Sequence, residues 1–256
     1  MLLLSTSSLH GYGLHRIFDF AKKSGFDGID LALNSQNHDL WDEDYIRYLS
    51  DAFHLPVLSI TAPPKGMNEK KVDKIVKMAG RLKSQVLNFS PPHFSDKNNL
   101  WYSRYLVKVK RDTHLSISIQ NVDPKFIFFV IPEYKNTALA EIKKLTGETT
   151  LDLASIDVSS GADILKAQKI LGSSIKNIFL SDKHGSIHGV LPGGAGGGIS
   201  YLPLESFFYK LKATGYNGFI TLKVKPSELG AGNEDRVIQS LEFAKAYYLK
   251  HFLEYK

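Results

Sequence analysis

Residues Ile175 to Val224 read IKNIFLSDKHGSIHGVLPGGAGGGISYLPLESFFYKLKATGYNGFITLKV. Two short apolar runs, near 176–181 and 219–224, flank an amphipathic segment near 204–214 that Gly215 closes. An apolar run of strand length, a segment of helical period and a second apolar run form a βαβ unit, whose two strands lie parallel in one sheet.

The same alternation runs outward from this stretch to both ends of the chain. Strands are predicted near 2–6, 28–32, 57–61, 86–90, 115–120, 149–153, 176–181 and 219–224. Helices are predicted near 14–24, 42–53, 68–83, 100–112, 135–146, 162–171, 204–214 and 234–253, with Gly25, Gly147, Gly172 and Gly215 where carboxyl caps belong. Eight such units in 256 residues, with no low-complexity stretch, predict an α/β fold: a single (β/α)8 TIM barrel, one domain over 1–256.

Side chains alternate along a strand, and here the two parities differ in kind. Ile29 and Leu31, Leu58 and Ile60, Leu87 and Phe89, Ile117 and Ile119, Leu151 and Leu153, Ile220 and Leu222 form an apolar set that should face the helices. The last residues of the other parity are Asp30, Thr61, Ser90, Gln120, Asp152, Phe179 and Lys223. Their position at the carboxyl ends of the strands, the catalytic face of such barrels, predicts a shared polar cavity there. Phe126 to Ile131, FIFFVI, falls in the loop after the fifth strand, where it is read as a short extra strand or a lid, with packing favoured over gating.

Composition narrows the function. Met1 to Leu4 run straight into Ser5 to Ser8, which is no signal peptide, and no segment reaches the length of a membrane span, so a soluble cytoplasmic protein is expected. The absence of cysteine excludes disulfides and thiolate metal sites. A net charge of +6 invites nucleic acid, but Lys70, Lys71, Lys74, Lys77, Arg81 and Lys83 recur at the spacing of a solvated helix face. The run PGGAGGG, Pro192 to Gly198, lacks the Lys-Ser/Thr of a phosphate-binding loop and is read as a flexible loop beside the mouth.

Several segments resemble the xylose-isomerase-like TIM barrels, which include sugar isomerases, epimerases and endonuclease IV. The strongest is the opening stretch, with the Ser181-Asp182 pair, His188 ahead of Pro192-Gly193, and Gly215-Tyr216-x-Gly218 before the last strand. Ser24 to Leu31 (SGFDGIDL), Gln120 to Asp123 (QNVD, where the family usually has Glu-Asn) and Leu151 to Ser155 (LDLAS, where it usually has Leu-Asp-x-x-His) support it. The resemblance implies a divalent cation held by Glu, Asp, His and Glu from strands five to eight, polarising a sugar oxygen while carboxylates move a proton between neighbouring carbons.

Carried over position by position, those ligands fall on Gln120, Asp152, Phe179 and Lys223, so one survives; the supporting His becomes Ser155, while Asp182 and His188 are retained. The family set totals about −3 in charge and this set about zero, and an ammonium in the cation's place repels a second positive charge. The expectation is a site without metal or other cofactor, in which Lys223, Asp152 and Gln120 do the chemistry and Asp30, Thr61, Ser90, Asp182 and His188 bind the hydroxyls of a small sugar or polyol. Binding ranks above Schiff-base chemistry, because Asp152 holds the lysine protonated. The alternatives are a barrel without catalysis, serving as sensor or scaffold, and a metal enzyme with rearranged ligands drawn from Asp157, His184 and His188. Abasic-site DNA cleavage needs more His and acidic ligands than remain, so nucleic acid and membrane are not expected partners; oligomeric state, a homo-oligomer included, stays open.

Overall fold

The computed structural model describes residues 1–96, 99–128, 130–156, 163–185, 187–193 and 202–254, with 99–103 known by backbone alone. Asp157 and most of the glycine run, 194–198, lie outside the described residues.

Eight parallel strands close into a barrel: β1 (Leu2–Ser5), β2 (Gly28–Ala32), β3 (Val57–Thr61), β4 (Val86–Phe89), β5 (Ser116–Gln120), β8 (Thr149–Asp152), β9 (Ile175–Leu180) and β12 (Phe219–Leu222). Closure comes from β1 pairing with both β2 and β12. Two antiparallel hairpins stand outside this ring, β6 (Phe126–Ile127) with β7 (Ile131–Pro132), and β10 (Asp182–His184) with β11 (Ile187–Val190).

The helices are α1 (Leu14–Lys23), α2 (Glu43–Phe53), α3 (Glu69–Leu82), α4 (Asn99–Asp112), α5 (Leu139–Thr146), α6 (Ile164–Leu171), α7 (Leu204–Ala213) and α8 (Glu234–Tyr248). Side-chain caps start four of them: Asp42, Asn68, Asp163 and Asn233 accept from the backbone N–H three residues on. The predicted helix from 135 begins later, at Leu139, because Tyr134 bridges His93 and the Lys135 N–H donates to Pro92 O, which holds the chain extended. The lysine-rich face of α3 lies outward, while Val72, Ile75, Met78 and Ala79 are buried.

The outer core is as the parity predicts, with Ile29, Leu31, Ile60, Leu87, Phe89, Ile117, Ile119, Leu151, Leu153, Ile220 and Leu222 packed among the helix side chains. Leu58 is the correction. A register shift between β2 and β3 at Ile29/Asp30 turns it inward, where it joins Leu3, Val86 and Phe219 in a plug at the amino-terminal end of the barrel. The segment 126–131 is also corrected: it does not pack. Phe126, Phe128, Val130 and Ile131 are exposed on the β6–β7 hairpin, since two paired residues per strand form no sheet able to cover them.

The turn Gly215-Tyr216-x-Gly218 has a steric reason. The Tyr216 hydroxyl donates to Phe219 O at 2.7 Å, folding its ring over Gly218. A Cβ on Gly218 would lie 2.5 Å from both Lys176 O and the Tyr216 hydroxyl, so only glycine admits this approach.

Candidate ligand site at the barrel mouth

Above the apolar plug every barrel strand contributes to a layer of fully buried polar side chains: Ser5, Asp30, Ser59, Asn88, Ser118, Thr150, Asn177 and Thr221. Barrels are ordinarily filled at this level by bulky aliphatic residues, and buried polar groups persist only when hydrogen-bonded. Asn88 supplies most of the bonding. Its Nδ2 donates to Ser59 Oγ (2.7 Å) and Thr61 Oγ1 (3.1 Å), and its Oδ1 accepts from Thr150 Oγ1 (2.6 Å) and Ser118 Oγ (3.0 Å). Asp30 accepts from Ser5 Oγ (2.9 Å) and Thr61 Oγ1 (2.9 Å). Burial pushes the Asp30 carboxyl above the usual carboxylate range, and the hydroxyls of Ser59, Ser5 and Thr61, with the charge of Lys223, oppose that rise.

The mouth rests on this polar floor. Lys223, just beyond β12, extends Nζ to within 3.3 Å of Asp152 Oδ2 at the end of β8, and the same ammonium lies 4.1 Å from the centre of the Phe179 ring. Both contacts are attractive to an ammonium. Gln120 donates to Ser90 Oγ at 2.7 Å, and Asn121 clamps the Asp152 backbone by bonding both its O and its N–H. Beside these groups opens a cavity of about 470 Å³, lined by Lys223, Gln120 and Thr61 together with Ser7, His10, Ala32, Asn34 and Asn37.

The sequence-predicted site residues therefore divide. Lys223, Gln120 and Thr61 reach the cavity, and Asp152 and Phe179 flank the ammonium. Asp30 does not reach it: Ala32 ends β2 above it, so the carboxylate is sealed one layer deeper than expected and supports Thr61 from below. Ser90 is buried beneath Gln120. Asp182 is buried as well, and its Oδ1 accepts from the N–H groups of Lys183 and Leu202, holding the loop after β9. His188, on β11, lies 3.7 Å from Asp123 Oδ2 and outside the cavity wall; burial lowers its pKa, Lys183 lowers it further and Asp123 opposes. Sequence reasoning missed Ser7, His10, Asn34 and Asn37, which come from loops after β1 and β2; the polar, glycine-bearing run His10 to Gly13 is the signal that pointed there.

A divalent cation does not fit this donor set. Asp152 offers a carboxylate, but Lys223 already occupies it, Phe179 offers a ring, and Gln120 offers a neutral amide. At an effective dielectric of about 20, a dication about 4 Å from an ammonium is repelled by roughly 8 kcal/mol. Among the described residues no group of three or more His, Asp or Glu side chains converges as a metal site elsewhere; His184 is exposed, and Asp157 lies outside the described residues.

No family model matches the chain. Its sequence is similar to uncharacterized proteins of Mycobacterium leprae (23% identical, over 96% of this chain and 97% of the relative) and Mycobacterium tuberculosis (24%, with the same coverage). Among solved structures it resembles a xylose isomerase domain containing protein of Salmonella typhimurium (TM-score 0.72, 13% identity, 97% of each chain). It also resembles the IOLI protein with a binding zinc atom (TM-score 0.72, 16% identity, 98% of this chain and 99% of that one). A third is D-allulose 3-epimerase from a Methylomonas species in complex with D-allulose (TM-score 0.69, 14% identity, 98% and 96%). The fold is that of the xylose-isomerase-like TIM barrels, and its structural neighbours include sugar epimerases. No described helix is long and apolar enough to cross a membrane.

Proposed function

We propose that the barrel mouth binds a small neutral sugar or polyol without a divalent metal, the Lys223–Asp152 pair standing in the cation's place. One observation carries this reading: an ammonium 3.3 Å from Asp152 and 4.1 Å from the Phe179 ring, at the edge of a cavity whose wall sets hydroxyl, amide and imidazole groups among apolar residues such as Tyr12, Leu14 and Leu33. An ammonium has three N–H donors and Asp152 takes one, so hydrogen-bonding capacity remains for a sugar oxygen. Thr61, Gln120, Asn34 and Asn37 both donate and accept, which suits hydroxyl groups, and the absence of Asp and Glu from the cavity wall among the described residues suits a ligand without positive charge.

The same pair could isomerise or epimerise what it binds. Lys223 would donate to a carbonyl oxygen and stabilise the enediolate that forms; the carbon-bound proton would pass to Asp152 and back only for a ligand that reaches past the ammonium, since Asp152 stands behind Lys223 and does not line the cavity. A barrel that binds without turnover is the second reading, favoured by the pairing of Asp152 Oδ2 with Lys223.

Thermal unfolding in the presence of D-allulose, D-fructose or sorbitol tests the site. A saturable rise in Tm is expected, equivalent to about 2.7 kcal/mol at a hundred times Kd, and it should vanish in Lys223→Met. Calorimetry with Mn²⁺ or Zn²⁺ should show no stoichiometric site, whereas the triple change Gln120→Glu, Phe179→His and Lys223→Glu should create one. A tight, stoichiometric cation in the unaltered protein would overturn the reading, as would sugar stabilisation untouched by Lys223→Met.

A further inference from the structure

A second and larger cavity, of about 650 Å³, lies at the opposite end of the barrel, between the carboxyl ends of α6 and α7 and the start of β9. Three lysines border it, Lys169 from α6, Lys176 from β9 and Lys210 from α7, and among the described residues no Asp or Glu lines it. Ile175 and Leu211 form an apolar wall. Gln168, only 4% exposed, also lines it; Nε2 reaches Thr214 Oγ1 at a marginal 3.5 Å, and Oε1 meets no partner among the described residues.

Lysines near helix carboxyl ends ordinarily do no more than complement the helix dipole. Here the charges exceed that requirement. Two helix ends contribute about half a negative charge each, so three ammonium groups leave an excess of about two positive charges. Lys210 spends one donor on Leu165 O at 3.3 Å, and Lys176 is a strand residue with no helix end of its own. An orphaned buried acceptor is destabilising until a donor meets it. A ligand that satisfies the whole cavity therefore carries a doubly negative group for the lysines and a hydroxyl to donate to Gln168. Its size falls within the range of small-molecule sites, roughly 300–1,000 Å³.

We propose that this cavity is a second small-molecule site, specific for a hydroxylated phosphomonoester and separate from the barrel mouth. Glucose 6-phosphate is the probe, with glucose and inorganic phosphate as the two halves of its chemistry, read by isothermal titration and by Tm. Saturable binding of glucose 6-phosphate is expected, weakened about tenfold or more by the pair Lys169→Glu and Lys176→Glu, and kept by Lys223→Met, which acts only at the mouth. Glucose alone should not bind here, and inorganic phosphate should bind more weakly than the ester. Should the charge-reversed protein fail to fold, Lys169→Gln with Lys176→Gln takes its place, with a loss of about threefold or more expected. No binding at millimolar probe, affinity unchanged by either lysine pair, affinity lost with Lys223→Met, or inorganic phosphate binding as tightly as the ester would each overturn the assignment.

Discussion

Asn88 shows how much of this barrel is decided by single neutral side chains. Its amide joins hydroxyls from β3, β5 and β8, and through Thr61 it steadies Asp30, the carboxylate beneath the mouth. Because burial raises the Asp30 pKa above its unfolded value of about 3.9, the folded state binds the extra proton between those two values. The contribution of Asp30 to stability therefore falls as pH rises from about 4 through its folded pKa, and is flat beyond it. Asp30→Asn removes this dependence, so urea unfolding between pH 4 and 8 should show the variant gaining on the parent as pH increases; a difference constant across the range would sink the assignment. The Lys223–Asp152 pair was legible in the sequence because opposite charges ended two strands at the same parity. The polar layer was not, because Ser59, Asn88 or Thr150 in a strand reads the same whether it faces a hydrogen-bonding partner or solvent. Asp182 and His188 stood out as motif residues, but their partners are loop groups that only the folded chain brings to them.

Among the elements, the turn from α7 into β12 is held by contact rather than by propensity. Gly218→Ala forces a methyl against Lys176 O and the Tyr216 hydroxyl, where backbone on one side and a hydrogen-bonded ring on the other cannot retreat. Overpacking of this kind costs about 3 kcal/mol, to be read as a lowered urea midpoint with an unchanged slope; a loss under about 1 kcal/mol would mean the turn relaxes. Strand and helix positions were legible to within a few residues, since hydrophobic period and cap residues are local signals. What escaped was set at a distance: the register shift that turns Leu58 inward, the bridge to His93 that delays α5, and the hairpin that leaves Phe128 in the open with φ of 50°.

Taken whole, the molecule is electrically two-sided. Acidic residues occupy the first turns of α2, α3, α5, α7 and α8, toward the mouth, while lysine and arginine fill the last turns of α1 and of α3 through α8 at the opposite end. Each such charge is worth about 0.3–1 kcal/mol against its helix dipole. Lys143→Glu with Lys144→Glu, in the last turn of α5, should therefore cost about 1–2 kcal/mol in dilute buffer and less in 1 M salt. A loss insensitive to salt would assign the effect to packing instead.

Closure of the ring by β1 between β2 and β12 also dictates when the molecule can exist. Leu2, Leu3 and Leu4 find their partners Ile220, Thr221 and Leu222 more than two hundred residues downstream, so β1 must wait, one edge bare, until β12 has emerged. Assembly is thus slow by topology, and a chain cut short before β12 leaves two unsealed borders open to association with its neighbours.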